Sequence, residues 1–143
     1  MRVLVADDDL VYRNLMQGLL SQWDLEPVVV ADGSEAMRVL QSPDAPELVI
    51  LDWMMPEMDG FEVCQAVRSL PRLADRYILI MTGSRNKSDL KKVLVAGADN
   101  YLLKPFEPID LQMHIRSAMR ILRLQKELKN LQEQTGVAPA VER

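Results

Sequence analysis

Short apolar runs alternate five times along the chain with longer stretches whose apolar residues recur every three or four positions. The runs at 3–6, 27–30, 48–51, 77–81 and 100–103 are rich in β-branched and large aliphatic residues. Strands buried on both faces of a parallel sheet read this way. Between the first two, Val11, Leu15, Leu19 and Trp23 form a helical stripe that Met16 and Leu20 widen. Ser34, in the turn Asp32-Gly33-Ser34, is expected to cap a second helix carrying Ala36, Met37 and Leu40. Met58-Asp59-Gly60 turns into a third helix with Val63, Cys64, Val67 and Leu70, stopped by Pro71. The fourth holds Leu90, Val93 and Leu94, and Gly97 sits where a left-handed C-terminal residue belongs. Strands alternating with helices imply right-handed crossovers and one parallel sheet covered by helices on both faces, an α/β fold.

The last helix has a different design. It begins near Pro108 and meets no stop signal before Thr135-Gly136. Leu111, Ile115, Ala118 and Leu122 suit packing on the sheet, whereas Ile121, Leu124, Leu128 and Leu131 are spaced 3-4-3, a heptad pattern. The stripe thus shifts around the helix, as expected of a helix that leaves its domain to meet a partner. The expected divisions are a domain over about 1–125, a helical extension over 126–135 and a disordered tail over 136–143.

Four of the strand runs end in a residue that has no apolar reason to be there. Val3-Leu4-Val5-Ala6 runs into Asp7-Asp8-Asp9, the third run stops at Asp52, the fourth at Thr82 and the fifth at Lys104. Ligand sites of open parallel sheets lie at the carboxyl ends of their strands. Crowded carboxylates repel one another unless one takes up a proton or a cation binds. Oxygen ligands of this kind suit Mg²⁺, and Mg²⁺ suits a phosphoryl group. A carboxylate in such a setting can itself be the nucleophile that forms an aspartyl-phosphate. The residues alone do not decide which aspartate attacks.

Composition narrows the classes of function. The chain has 143 residues, 48% of them apolar and 27% charged, which fits one ordinary globular domain. Its net charge of −4 argues against general nucleic-acid binding. The apolar runs are far shorter than the ~20 residues of a membrane span. Met1-Arg2 leads straight into a strand without a signal-peptide pattern, and Cys64 has no partner cysteine, so a reducing cytoplasm is expected. Cys64 reads as core, and His114, the sole histidine, as a surface or packing residue.

The segments Val3-Leu4-Val5-Ala6-Asp7-Asp8-Asp9, Leu51-Asp52-Trp53-Met54-Met55-Pro56-Glu57-Met58-Asp59-Gly60, Met81-Thr82-Gly83 and Gly97-Ala98-Asp99-Asn100-Tyr101-Leu102-Leu103-Lys104-Pro105-Phe106 resemble the receiver domain of two-component response regulators. The resemblance implies a flavodoxin-like (βα)5 doubly wound sheet of strand order 2-1-3-4-5. It implies Asp52 as the phosphoacceptor, fed by the phosphohistidine of a sensor histidine kinase or phosphotransfer protein. It implies Mg²⁺ held by Asp7, Asp8, Asp52 and the backbone carbonyl of Met54. Lys104 and Thr82 would contact the phosphoryl group, Tyr101 would be the aromatic switch residue, and Lys104–Pro105 a cis peptide. Phosphorylation would then remodel the surface of helix four, strand five and helix five. The last helix resembles linkers to output domains such as diguanylate cyclases, so a fused or separate output domain and a homodimer through that helix are both expected partners.

Two rival classes stand beside this reading. Asp7-Asp8-Asp9 formally contains the Asp-x-Asp of Mg²⁺-dependent phosphohydrolases with an aspartyl nucleophile, although Leu10-Val11 lacks their usual threonine. A degenerate receiver that only binds partners is the other, opposed by the joint presence of Asp8, Asp52, Thr82 and Lys104. More locally, Asp9 is expected to cap the first helix rather than join the site. The basic residues Arg116, Arg120, Arg123, Lys126 and Lys129 read first as a solvated helix face.

Overall fold

A computed structural model describes residues 1–135. The elements run β1 (Arg2–Ala6), α1 (Leu10–Gln22), β2 (Glu26–Val30), α2 (Gly33–Leu40), β3 (Leu48–Asp52), α3 (Gly60–Ser69), β4 (Tyr77–Thr82), α4 (Lys87–Ala96), β5 (Asn100–Leu103) and α5 (Pro108–Thr135). All five strands are parallel, in the order β2-β1-β3-β4-β5. This is the flavodoxin-like doubly wound α/β fold that the resemblance implies.

Strand periodicity divides the core in two. Val3, Val5, Leu48, Ile50, Leu79 and Met81 face α1 and α5, where they meet Met16, Leu20, Leu111, Ile115 and Leu122. Leu4, Ala6, Val49, Leu51, Ile78 and Ile80 face α2, α3 and α4, packing with Leu40, Val63, Val67 and Val93. Both faces of β1, β3 and β4 are therefore dry, which explains their unbroken apolar runs. Cys64 is fully buried in the second layer, and burial pushes its thiol up to about 11.

Several helix expectations need correction. On α1 the fully buried pair is Met16 and Leu20, while Val11 is 71% exposed and Leu15 also faces outward. Leu19 and Trp23 only border the core. Asp32, not Ser34, caps α2: its carboxylate accepts from the Glu35 N–H at 2.8 Å, and Glu35 accepts in return from the Ala31 N–H. That reciprocal pair starts the helix at Gly33, two residues earlier than a Ser34 cap would allow. Leu70 lies just past α3 and is exposed, and Leu73 fills the core instead. On α4, Val93 and Ala96 are buried while Leu94 is exposed. Gly97 does adopt φ +96 at the end of α4, and Asp9 does cap α1 through the Val11 N–H.

Helix α5 runs unbroken for 28 residues. Its last buried residue is Leu122, and Ile121, Leu124, Leu128 and Leu131 are all exposed. At 100° per residue, the exposed set lies about 130° around the axis from the buried set. The tail expected over 136–143 lies outside the described residues.

Candidate functional site

Strands β1 and β3 are neighbours, yet their chains leave toward opposite sides of the sheet. The crevice between their carboxyl ends is the switch point of the fold. Asp7 follows β1, Asp52 ends β3, Thr82 ends β4 and Lys104 follows β5, so parallel pairing brings all four to one edge. One oxygen from each of Asp7, Asp8 and Asp52 lies within 4.8 Å of the others. Lys104 Nζ reaches Asp7 Oδ2 at 2.7 Å and Asp52 Oδ1 at 3.3 Å. Asp7 is fully buried and Asp52 nearly so, while Asp8 is exposed.

Three carboxylates against one ammonium leave an excess of negative charge. Burial first, and then the charge of Asp7, raise the Asp52 carboxyl from its ordinary 3.8 to about 7, against the pull of Lys104. Burial also works against the charge on Lys104, but its hydrogen bond to Asp7 and the field of Asp52 hold its pKa above the usual lysine value. A site whose carboxyl retains a proton near neutrality has room for a cation. The all-oxygen donor set fits Mg²⁺ rather than a softer metal.

A family profile described as "Response regulator receiver domain" matches residues 3–116. The chain belongs to that family. Among relatives of this receiver, the probable transcriptional regulator ycf27 of Cyanophora paradoxa is 40% identical over 119 residues, covering 83% of the chain and 48% of the relative. The response regulator MprA of Mycolicibacterium vanbaalenii is also 40% identical, covering 83% of the chain and 50% of the relative. The chain thus spans about half the length of the curated relatives it matches. Among solved structures, a putative response regulator from Chloroflexus aurantiacus superposes with TM-score 0.79 at 29% identity, over 83% of this chain and 97% of that one. The receiver domain of a histidine kinase from Syntrophus aciditrophicus gives TM-score 0.77 at 29% identity, over 85% and 89%.

The remaining candidate residues of this receiver surround the acidic cluster. Thr82 is buried, and its hydroxyl accepts from the Ser84 N–H at 3.1 Å. Ser84 in turn donates from its hydroxyl to Asp89 Oδ2 at 2.7 Å. Tyr101 lies on edge strand β5 opposite Ile80 and is 37% exposed. The Lys104–Pro105 peptide is cis. The Met54 side chain is exposed. The loop that carries it is pinned by Trp53, whose N–H donates to the Met81 carbonyl and whose own carbonyl accepts from the Gly60 N–H. A β-carbon at Gly60 would stand 2.6 Å from the Asp52 carbonyl oxygen, so only glycine lets α3 start this close to the site. His114 lies partly buried on α5, where burial lowers its pKa against the opposing charge of Asp110, and it is not part of the acidic cluster.

Sequence reasoning missed three contributors. Lys104 Nζ stands 4.0 Å from the centroid of the Tyr12 ring, which packs at 5.9 Å on Phe106. Arg13 donates to the Asp7 carbonyl at 2.8 Å, tying α1 to the end of β1. Ser84 links Thr82 to α4. Tyr12 falls on the predicted α1 stripe, one turn before Met16, and so reads as core, whereas Arg13 stands off the stripe and reads as a solvated charge.

Proposed function

We propose that this receiver accepts a phosphoryl group on Asp52 from the phosphohistidine of a sensor histidine kinase or phosphotransfer protein. The observation that carries the proposal is the nearly buried Asp52 carboxylate, held 3.3 Å from Lys104 Nζ and grouped with Asp7 and Asp8. An Asp52 oxygen attacks phosphorus as the phosphorus–nitrogen bond of the donor breaks, and the imidazole leaves with the electron pair. Asp7, Asp8, Asp52 and the Met54 backbone carbonyl would hold Mg²⁺, whose charge would offset that of the phosphoryl oxygens. Lys104 pairs with another of those oxygens. The Thr82 hydroxyl, which already accepts from Ser84, keeps its own proton to donate to a third.

Drawing Thr82 inward loosens its link through Ser84 to Asp89 on α4 and leaves space for Tyr101 to turn in, changing the α4–β5–α5 surface. Converting the two states from 1:99 to 99:1 takes roughly 5.5 kcal/mol of differential stabilisation. The protein is then a switch that catalyses only its own phosphorylation and dephosphorylation, working in the cytoplasm. Among the described residues no helix is long and apolar enough to cross a membrane.

The exposed Ile121, Leu124, Leu128 and Leu131 support a homodimer through the extension of α5, or a helical link to an output domain. Residues 1–125 form the receiver on this reading and 126–135 the extension. The phosphohydrolase reading loses its second carboxylate, because Asp9 caps α1 and stands outside the acidic cluster.

Mass spectrometry after incubation with acetyl phosphate and Mg²⁺ tests the site. Label on Asp52, abolished by Asp52→Asn, is expected; label elsewhere, or none, would overturn the assignment and restore the degenerate-receiver reading. Sedimentation with and without beryllofluoride and Mg²⁺ tests the dimer, which a monomer in both states would exclude.

A further inference from the structure

We propose that Tyr12 is a positioning residue whose ring face holds the Lys104 ammonium where it meets a phosphoryl group on Asp52, an inference that rests on Asp52 being the phosphoacceptor. Lysine ends in a compact charge on a flexible four-carbon stem, so it needs outside help to hold one place. Here the ammonium has three attachments: Asp7 at 2.7 Å, Asp52 at 3.3 Å, and the Tyr12 ring centroid at 4.0 Å. The last distance is well inside the ~6 Å range of cation–π attraction.

The three attachments differ once Asp52 reacts. The Asp52 carboxylate is consumed, leaving Asp7 to pull the ammonium toward itself. A third carboxylate in place of Tyr12 would hold the lysine but repel the incoming phosphoryl group. The face of an aromatic ring attracts the ammonium without carrying net charge. It is the one attachment that neither reacts nor repels.

The ring is itself fixed from two sides. Tyr12 lies in the first turns of α1, which Asp9 caps and which Arg13 ties to the Asp7 carbonyl. Its ring packs on Phe106, two residues past Lys104, and Phe106 borders the core between α1 and α5. The support and the lysine it holds are therefore anchored to the same two segments of chain.

Acetyl phosphate in the presence of Mg²⁺ is the probe. An Asp52 oxygen forms a bond to phosphorus while the phosphorus–oxygen bond to acetate breaks, and acetate leaves with the electron pair. Tyr12→Leu keeps an apolar side chain and removes the ring; it is expected to slow labelling of Asp52 about tenfold, equivalent to 1.4 kcal/mol. Tyr12→Phe keeps the ring face and should restore the rate to within about twofold. Mg²⁺ affinity, followed by Trp53 fluorescence, should be the same in all three proteins. By NMR, the Lys104 ε-methylene protons should show ring-current shifts in the wild type and Tyr12→Phe, and lose them in Tyr12→Leu.

Should Tyr12→Leu not fold, Tyr12→Met serves in its place. Equal rates in the wild type and the ring-free variant would overturn the inference, as would a Phe variant as slow as Leu or an unmoved Lys104 signal. A wild type that takes up no phosphoryl group would instead overturn the phosphoacceptor reading, and this inference with it.

Discussion

Replacing Asp52 by Asn in the metal-free protein should make the fold more stable, and the gain should depend on pH. In the folded chain the Asp52 carboxyl keeps its proton up to about 7, whereas its ordinary value is 3.8. Between those values the unfolded chain binds fewer protons at this position than the folded one. The stability contributed by the group is therefore complete below pH 3.8 and is lost as pH rises through 7. A displacement of that size corresponds to roughly 4 kcal/mol. The Asp52 side chain is 12% exposed, and solvent relaxation around it brings the expectation to about 2–4 kcal/mol. Asn has nearly the same shape, keeps an oxygen for Lys104 to donate to, and carries no charge. Urea unfolding in excess chelator should find the two proteins within about 0.5 kcal/mol at pH 4. At pH 8 the Asn variant should lead by about 2–4 kcal/mol. Saturating Mg²⁺ should remove most of the wild-type deficit at pH 8, because a ligand that binds only the folded state stabilises it. A stability difference that stays constant from pH 4 to pH 8, or an Asn variant that is the weaker at pH 8, would refute the electrostatic account of this site.

Four further substitutions separate the parts of the structure. Gly60→Ala places a methyl group 2.6 Å from the Asp52 carbonyl, so it should slow labelling of Asp52 and cost about 1–3 kcal/mol in urea unfolding. Arg68 donates to the carbonyls of Gly97, Ala74 and Arg76 and to Asp99, which also accepts from the Ile78 N–H. Arg68→Ala should therefore destabilise by about 2–4 kcal/mol while leaving Mg²⁺ affinity unchanged, and a loss under 1 kcal/mol would refute this role. Leu122→Ala should cost about 2–4 kcal/mol of stability, whereas Leu128→Ala should cost the monomer almost nothing and weaken only self-association seen by sedimentation.

The site was legible because burial on both faces leaves a strand no freedom in its side chains. In Leu48–Asp52 the first four residues are buried aliphatics, so the acid that ends the run stands out in the sequence as it does in the fold. The same logic exposed Thr82, whereas Lys104 follows edge strand β5, in which only Leu102 is buried. The phase of α1 was not legible, because Val11 and Leu15 form as good an apolar stripe as Met16 and Leu20. Only the docking of the helix on Val3 and Val5 chooses between them. The start of α2 was ambiguous for a similar reason, since Asp32 and Ser34 are both good caps and the bond between Ala31 and Glu35 decides. The support of Lys104 by Tyr12 and Phe106 could not be read at all. It joins residues at opposite ends of the domain, and no local spacing rule connects them.

The two halves of α5 make a lever of unequal arms. Up to Leu122 the helix is gripped by the sheet, and beyond it about 20 Å of helix extends past the last buried contact, at 1.5 Å per residue, with the exposed Lys126–Glu47 ion pair as a tether. Tilting the gripped part by only 5° would carry the free end through about 2 Å. That travel is comparable to the helix shifts by which subunit interfaces change state. A rearrangement too small to expose new surface on the domain itself would thus be magnified at the exposed Leu128 and Leu131.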